Sequence, residues 1–376
     1  MIYLDNSATT KVDQDVAEIA VRMMTREFAN PSSPYLLGRD ALQFITQARY
    51  HIAKVISAPT RRIFFTSGGT ESNNLAIQGS VKNQKKFGNK IITTAIEHSS
   101  VRETCEHLAK EGYEVSFVKP RNGRIQAEDV IHQVDANTIL VSVMAVNNET
   151  GEILPVKEIV KGVREKNPNT IIHCDCVQGF CKIPFKITEI DVDLLSMSAH
   201  KIHAPKGCGA LYIKEGLEIC PLQYGGAQES KIRPGTENTS SIAAFGFAAD
   251  KALKSLQENG EKVTTLRDHL LCRLKETEGI EINSPVGGSP YLLNISTLPV
   301  QTDTMIHELR MREIYVSGSA ACTKGAKSRV IEAMGLGDKR RDTTLRISFS
   351  KENNVEEIDC LADAINEIIT TTVKEK

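Results

Sequence analysis

Lys201 is the residue best placed for covalent chemistry. It closes the sequence Ser-Ala-His-Lys at 198–201, at the end of an apolar run that starts at Val192, and a glycine-rich segment follows. The run predicts a buried strand, and open α/β sheets bind ligands beyond the carboxyl ends of their strands. A lysine there can bind an aldehyde covalently, and the neighbouring hydroxyl and imidazole suit a phosphate, which indicates pyridoxal phosphate. A surface lysine at a strand end is the alternative.

A glycine-rich turn offers a second place for a phosphate. Residues 66–70 read Thr-Ser-Gly-Gly-Thr, between an apolar run and a helix-like segment. The N–H groups at a helix start attract anions, and the hydroxyl of Thr70 adds a donor beside Gly69. The turn lacks the Gly-Lys-Ser/Thr of a P-loop and the Gly-x-Gly-x-x-Gly of dinucleotide sites. An ordinary capped turn between strand and helix is the other interpretation.

Four more polar residues follow predicted strands, where ligands bind in such sheets. Asp175 could pair with a protonated pyridine nitrogen, and Gln178 could donate to a phenolate oxygen. His98 could stack on a ring and exchange a proton, and Asn148 adds an amide donor. Each alone is typical of a capping or loop residue. Together with Lys201 they describe one aldehyde-phosphate cofactor.

Two features of the C-terminal part could act on a substrate. Residues 315–325 form a small-residue loop that carries a single cysteine, Cys322, with Lys324 and Lys327 close in sequence. Nearby lysines would favour the thiolate form, although a structural cysteine in a tight turn fits as well. Arg346 lies inside an apolar strand and requires an anion, either a substrate carboxylate or a structural Asp or Glu.

Alternating apolar strands and amphipathic helices predict the fold that positions these residues. The pattern from about residue 60 to 213 is typical of a mostly parallel sheet of seven strands flanked by helices, and the pattern after 279 is typical of a smaller α+β domain. The predicted strands are 62–65, 90–95, 114–118, 139–143, 170–174, 193–197 and 210–213. The predicted helices are 71–78, 100–110, 127–134, 156–166, two within 240–277 with a break near 259–260, 303–311, 328–334 and 354–371. We expect a large cofactor-binding domain, 13–260, and a small domain made of 1–12 and 261–376.

Composition limits the function classes. The chain has 376 residues with 46 basic and 47 acidic side chains, a formal net charge of -1, so direct nucleic-acid binding is not expected. No apolar run approaches the ~18 residues of a membrane span, and the N-terminus lacks a basic segment before an apolar stretch. We expect a protein of the cytoplasm without membrane association. Nine irregularly spaced cysteines indicate free thiols, and the pair Cys174 and Cys176 has no second ligand pair that would indicate a metal site.

The chain resembles the cysteine desulfurases in motifs that follow the family's order from Tyr3 to beyond Arg346. The motifs are 4–10 (LDNSATT), 30–33 (NPSS), 66–73 (TSGGTESN), 97–100 (EHSS), 146–151 (VNNETG), 175–178 (DCVQ), 198–201 (SAHK) with 205–207 (PKG), 225–229 (GGAQE) with 233–238 (RPGTEN), and the loop at Cys322. One departure is an extra alanine before Cys322, where the family usually has Ser-Gly-Ser-Ala-Cys. The link from Cys322 to Ser328 is also shorter than in family members with a long loop, which limits how far sulfur can be carried.

The resemblance implies a homodimeric fold type I pyridoxal phosphate transferase. Its activity would convert L-cysteine to L-alanine and keep the sulfur as a persulfide on Cys322, for a sulfur-acceptor protein in iron-sulfur cluster assembly or tRNA thiolation. The implied catalytic residues are Lys201, Cys322 and His98. The implied cofactor-binding residues are Gly69, Thr70, His98, Asn148, Asp175, Gln178, Ser198, His200, Lys201 and Thr236, of which Thr236 would reach the neighbouring subunit's phosphate. Arg346, with Asn30, would hold the substrate carboxylate, and no metal is implied.

Two other functions remain open from the sequence. A selenocysteine lyase or another pyridoxal phosphate lyase could use the same scaffold, and rates on cysteine and selenocysteine would separate these from a desulfurase. A sulfur-carrier scaffold without turnover is a more remote alternative, because Lys201, Asp175 and His98 are all present. The sequence does not name the sulfur acceptor.

Overall fold

The computed structural model describes residues 1–318 and 328–374. The strands in this part of the chain are β1 Ile2–Tyr3, β2 Ile63–Thr66, β3 Lys90–Thr94, β4 Glu114–Val118, β5 Thr138–Met144, β6 Ile171–Asp175, β7 Leu194–Ser198, β8 Gly209–Ile213, β9 Ile280–Ile282, β10 Leu292–Thr297, β11 Ile314–Tyr315 and β12 Thr344–Ser348. The α-helices are α1 Gln14–Thr25, α2 Leu36–Val55, α3 Gly69–Gln84, α4 Ser99–Lys110, α5 Ala127–His132, α6 Val156–Lys166, α7 Ile187–Ile190, α8 Thr239–Lys254, α9 Leu256–Leu274, α10 Thr302–Met311, α11 Arg329–Ala333, α12 Asp338–Asp342 and α13 Val355–Lys374. Short 3-10 helices occupy Thr60–Arg62, Ala199–Lys201 and Gln228–Lys231.

The largest sheet has seven strands in the order β2-β8-β7-β6-β5-β3-β4. β8 is antiparallel to both of its neighbours, and the other pairs are parallel. The predicted α/β class with a mostly parallel seven-stranded sheet is therefore confirmed. β6 and β7 are adjacent and parallel, so their carboxyl ends at Asp175 and Ser198 lie at the same edge of the sheet.

Helices cover both faces of this sheet because successive strand side chains point to opposite sides. On β5, Val141 belongs to a core shared with α2, α5, α6 and α8, whereas its neighbour Leu140 belongs to a core shared with α3 and α4. Strands buried on both faces read as continuous apolar runs, which is why β5 has no polar alternation. Among the described helices, none is long and apolar enough to cross a membrane.

A separate core lies in the C-terminal part. It joins α9, α10 and α13 to the antiparallel sheet β12-β10-β9, and it includes Leu4 from the N-terminus. β1 pairs in parallel with β11, and the N–H of Ser348 donates to the carbonyl of Leu4 at 2.7 Å. The N-terminal residues thus pack onto the C-terminal part, as the sequence predicts.

The prediction of the helix break between residues 240 and 277 was wrong in position. α8 ends at Lys254 and α9 begins at Leu256, so Gly260 lies inside α9 rather than between two helices. The break falls at Ser255, whose hydroxyl and N–H both donate to the carbonyl of Lys251, at 3.1 and 3.3 Å. A serine hydroxyl that donates to a helix carbonyl competes with backbone N–H groups for that acceptor. The sequence interpretation also proposed no elements for 14–55, where α1 and α2 lie.

Alanine should have opposite effects at two glycines, Gly246 in α8 and Gly260 in α9. A Cβ at Gly246 would lie 2.2 Å from Ala48 Cα in α2, whereas no other described part of the chain lies within 4 Å of a new Cβ at Gly260. Gly246→Ala should therefore lower the free energy of unfolding by about 1–3 kcal/mol through overpacking. Gly260→Ala should raise it by about 0.5–1 kcal/mol because alanine loses less backbone entropy in a helix. Urea unfolding of both variants measures this, and a neutral Gly246→Ala would contradict the close crossing.

Candidate active site

Lys201 ends a single 3-10 turn that directly follows β7. Its Nζ donates to the carbonyl of Ser7 at 2.6 Å and to the carbonyl of Ala8 at 2.8 Å. The N-terminal segment is attached to the same turn, because the N–H of Thr10 donates to the carbonyl of His200 at 3.0 Å. The amine of Lys201 is therefore held at the edge of the sheet, between the two parts of the chain.

A cavity of about 300 Å³ opens beside Lys201. Ten residues predicted from the sequence line it: Gly69, Thr70, His98, Asn148, Asp175, Gln178, Ser198, His200, Lys201 and Arg346. Asn30 and Thr236 do not line it; both are exposed, and Asn30 Oδ1 accepts from the N–H of Ser32 at 2.9 Å. Cys322, Lys324 and Lys327 lie outside the described residues.

Asp175 is 5% exposed at the end of β6 and is held by two donors. Asn73 Nδ2 donates to Asp175 Oδ2 at 2.7 Å, and the N–H of Val177 donates to Oδ1 at 2.9 Å. These contacts fix the carboxylate at the floor of the cavity. A buried carboxylate with such partners is suited to pair with a cation, such as a protonated ring nitrogen.

The same Asn73 amide orients His98. Its Nδ2 also donates to Ser100 Oγ at 2.8 Å, and Ser100 Oγ lies 2.8 Å from His98 Nδ1. His98 is the N-cap of α4, and its Nδ1 accepts from the N–H of Ser100 at 3.2 Å. Because Nδ1 accepts, the proton of the neutral ring lies on Nε2. Asn73 and Ser100 were missed by the sequence interpretation, although Asn73 lies one helical turn after Gly69 on α3 and therefore on the same face.

Glu97 is a second buried carboxyl group close to Asp175. Thr94 Oγ1 donates to Glu97 Oε1 at 2.6 Å and the N–H of Met144 donates to the same oxygen at 3.1 Å. Oε2 has no hydrogen-bond partner among the described residues. Burial, together with the charge of Asp175, raises the pKa of Glu97 to about 8. Since both oxygens of Asp175 accept hydrogen bonds and Glu97 has one without a partner, the negative charge belongs on Asp175.

The glycine-rich turn has the backbone of an anion site. Gly68 has a φ of 155°, in the region that favours glycine, and α3 begins at Gly69. A Cβ at Gly69 would lie 2.8 Å from Val177 Cγ2, so this position leaves no room for a side chain. The first N–H groups of a helix lack partners within the helix and attract anions. Glu71 stabilises the turn, because it accepts a hydrogen bond from the N–H of Ser67 at 2.8 Å and pairs with Arg233 at 2.8 Å.

Ser198 and His200 line the cavity after β7 and can add donors for a phosphate. His200 Nδ1 lies 3.2 Å from Thr9 Oγ1. Burial, together with the charges of Lys201, Lys206 and Lys182, lowers the pKa of His200 to about 4. The ring is therefore neutral near pH 7 and donates through an N–H rather than through a charge.

Arg346 lies in β12 and is 3% exposed. Its guanidinium donates to Asp5 Oδ1 at 2.9 Å and to the carbonyl of Asn148 at 3.2 Å. Its Nε is buried without a hydrogen-bond partner among the described residues. The guanidinium thus keeps capacity for an anion in the cavity, as expected for a carboxylate-binding arginine. The sequence interpretation left a structural Asp or Glu open as the alternative, and Asp5 is such a residue.

These side chains fit pyridoxal phosphate. The cavity has a lysine amine for an aldehyde, a fixed carboxylate for a ring nitrogen, and a glycine turn at a helix start for a phosphate, with no side chain at Gly68 or Gly69 to block it. The donor set is the one that such a cofactor requires. Ser7 Oγ, which has no hydrogen-bond partner among the described residues, also lines this cavity and adds a polar group that the sequence interpretation missed.

The cysteines next to Asp175 have no sign of a metal site. Cys174 and Cys176 are buried free thiols, and burial raises the pKa of both well above the ordinary value for a thiol. They are therefore protonated and packed in the core beside the sheet. Within residues 1–318 and 328–374, no three His, Cys, Asp or Glu side chains are grouped as a metal ion requires.

The chain is similar to known proteins over nearly its whole length. The family pattern of Aminotransferase class-V matches residues 2–361. A protein named cysteine desulfurase IscS from Clostridium botulinum (strain Hall) is 38% identical, over 98% of this chain and 94% of its own length. One of the same name from Methanosarcina thermophila is 36% identical, over 98% of this chain and 92% of its own. The solved structure of a NifS-like protein, 36% identical, superposes with a TM-score of 0.94 over 98% of this chain and 99% of its own.

The buried Glu97 predicts a pH dependence of stability. An unfolded glutamate loses its proton near pH 4.5, whereas folded Glu97 keeps it to about pH 8, so the folded state binds more protons between these values. Stability should therefore fall as pH rises through this window, by about 1.4 kcal/mol per pH unit for this group. Glu97→Gln, which has the shape of the neutral acid, should lose that slope. Urea unfolding of both proteins at pH 5, 6, 7 and 8 measures it, and parallel stability curves would contradict the assignment.

Proposed function

The chain belongs to the class-V aminotransferase family and is a cysteine desulfurase, a pyridoxal phosphate enzyme that acts on L-cysteine, and we propose that the cavity at Lys201 is its active site. The observation that carries the proposal is that Lys201, Asp175 and Arg346 line one cavity although they come from distant parts of the chain. A covalent anchor, a partner for the ring nitrogen and a carboxylate-binding group are what an amino-acid-processing site of this kind requires.

The roles of the cofactor-binding residues are those that the resemblance implies, and their positions in the cavity support them. Lys201 would hold the aldehyde carbon, and Gly69, Thr70, Ser198 and His200 would hold the phosphate. Asp175 would face the ring nitrogen, supported by Asn73. Gln178 would face the ring hydroxyl. Asn148 would contact the cofactor or the substrate. His98 would stack on the ring, in the orientation that Ser100 gives it.

The cofactor, when bound, supplies an electron sink that makes the Cα proton of cysteine acidic. Lys201 would move that proton. Its amine is held at the cavity edge and would no longer be bonded to the cofactor once the substrate is bound. Arg346 would bind the substrate carboxylate through its remaining N–H groups, with Asp5 keeping the guanidinium in place. Asn30 would help to hold the same carboxylate, although it does not line this cavity in a single chain.

Cys322 would take the sulfur. Its thiolate attacks the sulfur of bound cysteine, so that an S–S bond forms as the Cβ–S bond of the substrate breaks. L-cysteine and an enzyme thiol thus give L-alanine and an enzyme persulfide, with no external oxidant or reductant. The described residues on either side support this role, because the N–H of Arg346, which lines the cavity, donates to the carbonyl of Ser317 at 2.7 Å, and Ser328 Oγ donates to Glu149 at 2.6 Å.

We also propose a homodimer in which Thr236 serves the partner's site. Two observations support it. Leu36 at the start of α2 is 73% exposed and stands beside the exposed Tyr35 and Leu37. A surface cavity brings residues 31 and 32 together with Gln228 and with Glu237, the neighbour of Thr236 in sequence. Large apolar side chains exposed next to one another favour a subunit contact.

The resemblance is also the basis for proposals about the sulfur acceptor, the division into domains and the role of the small domain. The sulfur would pass to an acceptor protein for iron-sulfur clusters or thiolated tRNA, in the cytoplasm. The chain would divide into a large domain, 13–260, and a small domain of 1–12 with 261–376, which is consistent with the separate cores. The small domain would carry the Cys322 loop to the cofactor.

Two substitutions separate the anchor from the sulfur acceptor. Lys201→Ala should abolish both turnover and the visible absorbance band of the bound cofactor, because the covalent bond is lost. Cys322→Ala should keep the band and lose persulfide formation by at least ~100-fold. Persulfide is measured by mass spectrometry after one turnover, and Cys272→Ala, at an exposed free cysteine, is the matched control. Normal alanine formation by Cys322→Ala would show that another group takes the sulfur.

The proposed subunit contact is tested by a charge on its apolar surface. Leu36→Arg should shift the mass in solution from twice 41.4 kDa towards 41.4 kDa and should weaken cofactor binding, because Thr236 no longer reaches the partner's phosphate. Val286→Arg, at an even more exposed apolar position elsewhere, should leave the dimer intact. Analytical ultracentrifugation measures both. A monomeric wild-type protein that still binds the cofactor tightly would rule out the shared site.

A further inference from the structure

The side-chain amide of Gln178 lies between a donor and an acceptor that leave it one orientation. Lys182 Nζ donates to Gln178 Oε1 at 2.8 Å, and Gln178 Nε2 donates to the carbonyl of Ser7 at 2.9 Å. Gln178 is 5% exposed, so water cannot replace either contact freely. A flipped amide would set its oxygen against the Ser7 carbonyl and its NH₂ group against the lysine, and both contacts would be lost.

Lys182 contacts the lining of the cofactor cavity through this amide. It lines a neighbouring cavity of about 40 Å³ together with Lys201 and Tyr291, and it does not line the larger cavity of the cofactor. Its Nζ lies 5.9 Å from the centre of the Tyr291 ring. Lys182 follows Gln178 by four residues in a turn closed by the bond from the N–H of Lys182 to the carbonyl of Gly179, at 3.0 Å.

We propose that Lys182 is a positioning residue that fixes the Gln178 amide with its N–H side towards the cofactor cavity. The inference rests on the proposed function, in which Gln178 faces the ring oxygen of pyridoxal phosphate. An ionised ring oxygen accepts hydrogen bonds and cannot donate one. With its own oxygen held by Lys182, Gln178 presents the second N–H of Nε2 as a donor, which selects the ionised form of that ring oxygen.

The surroundings of Lys182 are costly for an amine, which supports a functional reason for its presence. Burial, together with the charges of Lys201 and Arg346, lowers the pKa of Lys182 to about 7, while Cys181 acts in the opposite direction. A lysine that faces two cations gains little from its own charge. The amine donates a hydrogen bond whether it is charged or neutral, so Gln178 keeps a donor at its oxygen across the neutral pH range.

The inference is tested on the cofactor-bound protein with Lys182→Met, Lys182→Arg and Gln178→Met. The readouts are the pH at which the visible band of the bound cofactor changes and the dissociation constant of pyridoxal phosphate from the protein. Lys182→Met should shift the midpoint by at least about 0.5 pH unit and weaken binding about 5-fold, the effect of one hydrogen bond. Lys182→Arg, which keeps a donor, should restore both values to within about 2-fold of wild type.

A double mutant shows whether Lys182 acts through Gln178. In a Gln178→Met background, Lys182→Met should add no further shift. Lys251→Met removes a lysine from the same small cavity without a contact to Gln178, and it should leave the midpoint unchanged. If Lys182→Met does not fold, Lys182→Leu, which also lacks a donor, carries the same expectation for the midpoint.

The outcomes are distinct. An unchanged midpoint and affinity in folded Lys182→Met, or an equal shift in the Gln178→Met background, would overturn the inference and leave the desulfurase site intact. A visible band that persists in Lys201→Ala would instead overturn the proposed site itself, whatever Lys182 does.

Discussion

The contact on which the site depends is the one between the amine of Lys201 and two backbone carbonyls of the N-terminal segment, Ser7 and Ala8. It joins three parts of the molecule at one point. The N-terminal segment pairs with β11 and β12 on one side. On the other side, Lys201 ends the turn that follows β7 of the central sheet. The Ser7 carbonyl also accepts from Gln178, so the position of this short segment sets both the cofactor anchor and the group beside it.

Charge is distributed around this point by burial rather than by ion pairs alone. Asp175 keeps its negative charge because Asn73 and Val177 donate to both of its oxygens, while burial keeps Glu97 protonated nearby. Neutral forms are favoured at His200 as well. In a site of low dielectric constant, a single fixed carboxylate has a stronger effect on a bound ring than several mobile charges.

The sequence predicted much of the fold and the cavity because their signals are local. Asp175 and the 198–201 motif follow apolar runs, and nine of the ten predicted residues that line the cavity come from such positions, while Arg346 lies inside an apolar strand. The break at Ser255 was missed because it depends on a hydroxyl that donates to a helix carbonyl. The sequence Asn259-Gly260 was chosen instead because it has the composition of a turn. Asn73, Ser7 and Lys182 were missed because their contacts join segments far apart in sequence or need three-dimensional packing to be seen. The resemblance to cysteine desulfurases, inferred from motif order, is confirmed by the family comparison.

The most direct test of the account is to identify the lysine that carries the cofactor. Borohydride makes the bond between a lysine amine and pyridoxal phosphate permanent, and peptide mass mapping then locates it. We expect one adduct, on the peptide that contains Lys201. We expect none on the peptide that contains Lys182, whose amine donates a hydrogen bond to Gln178. An adduct on Lys182 or any lysine other than Lys201 would contradict the assignment of the active site.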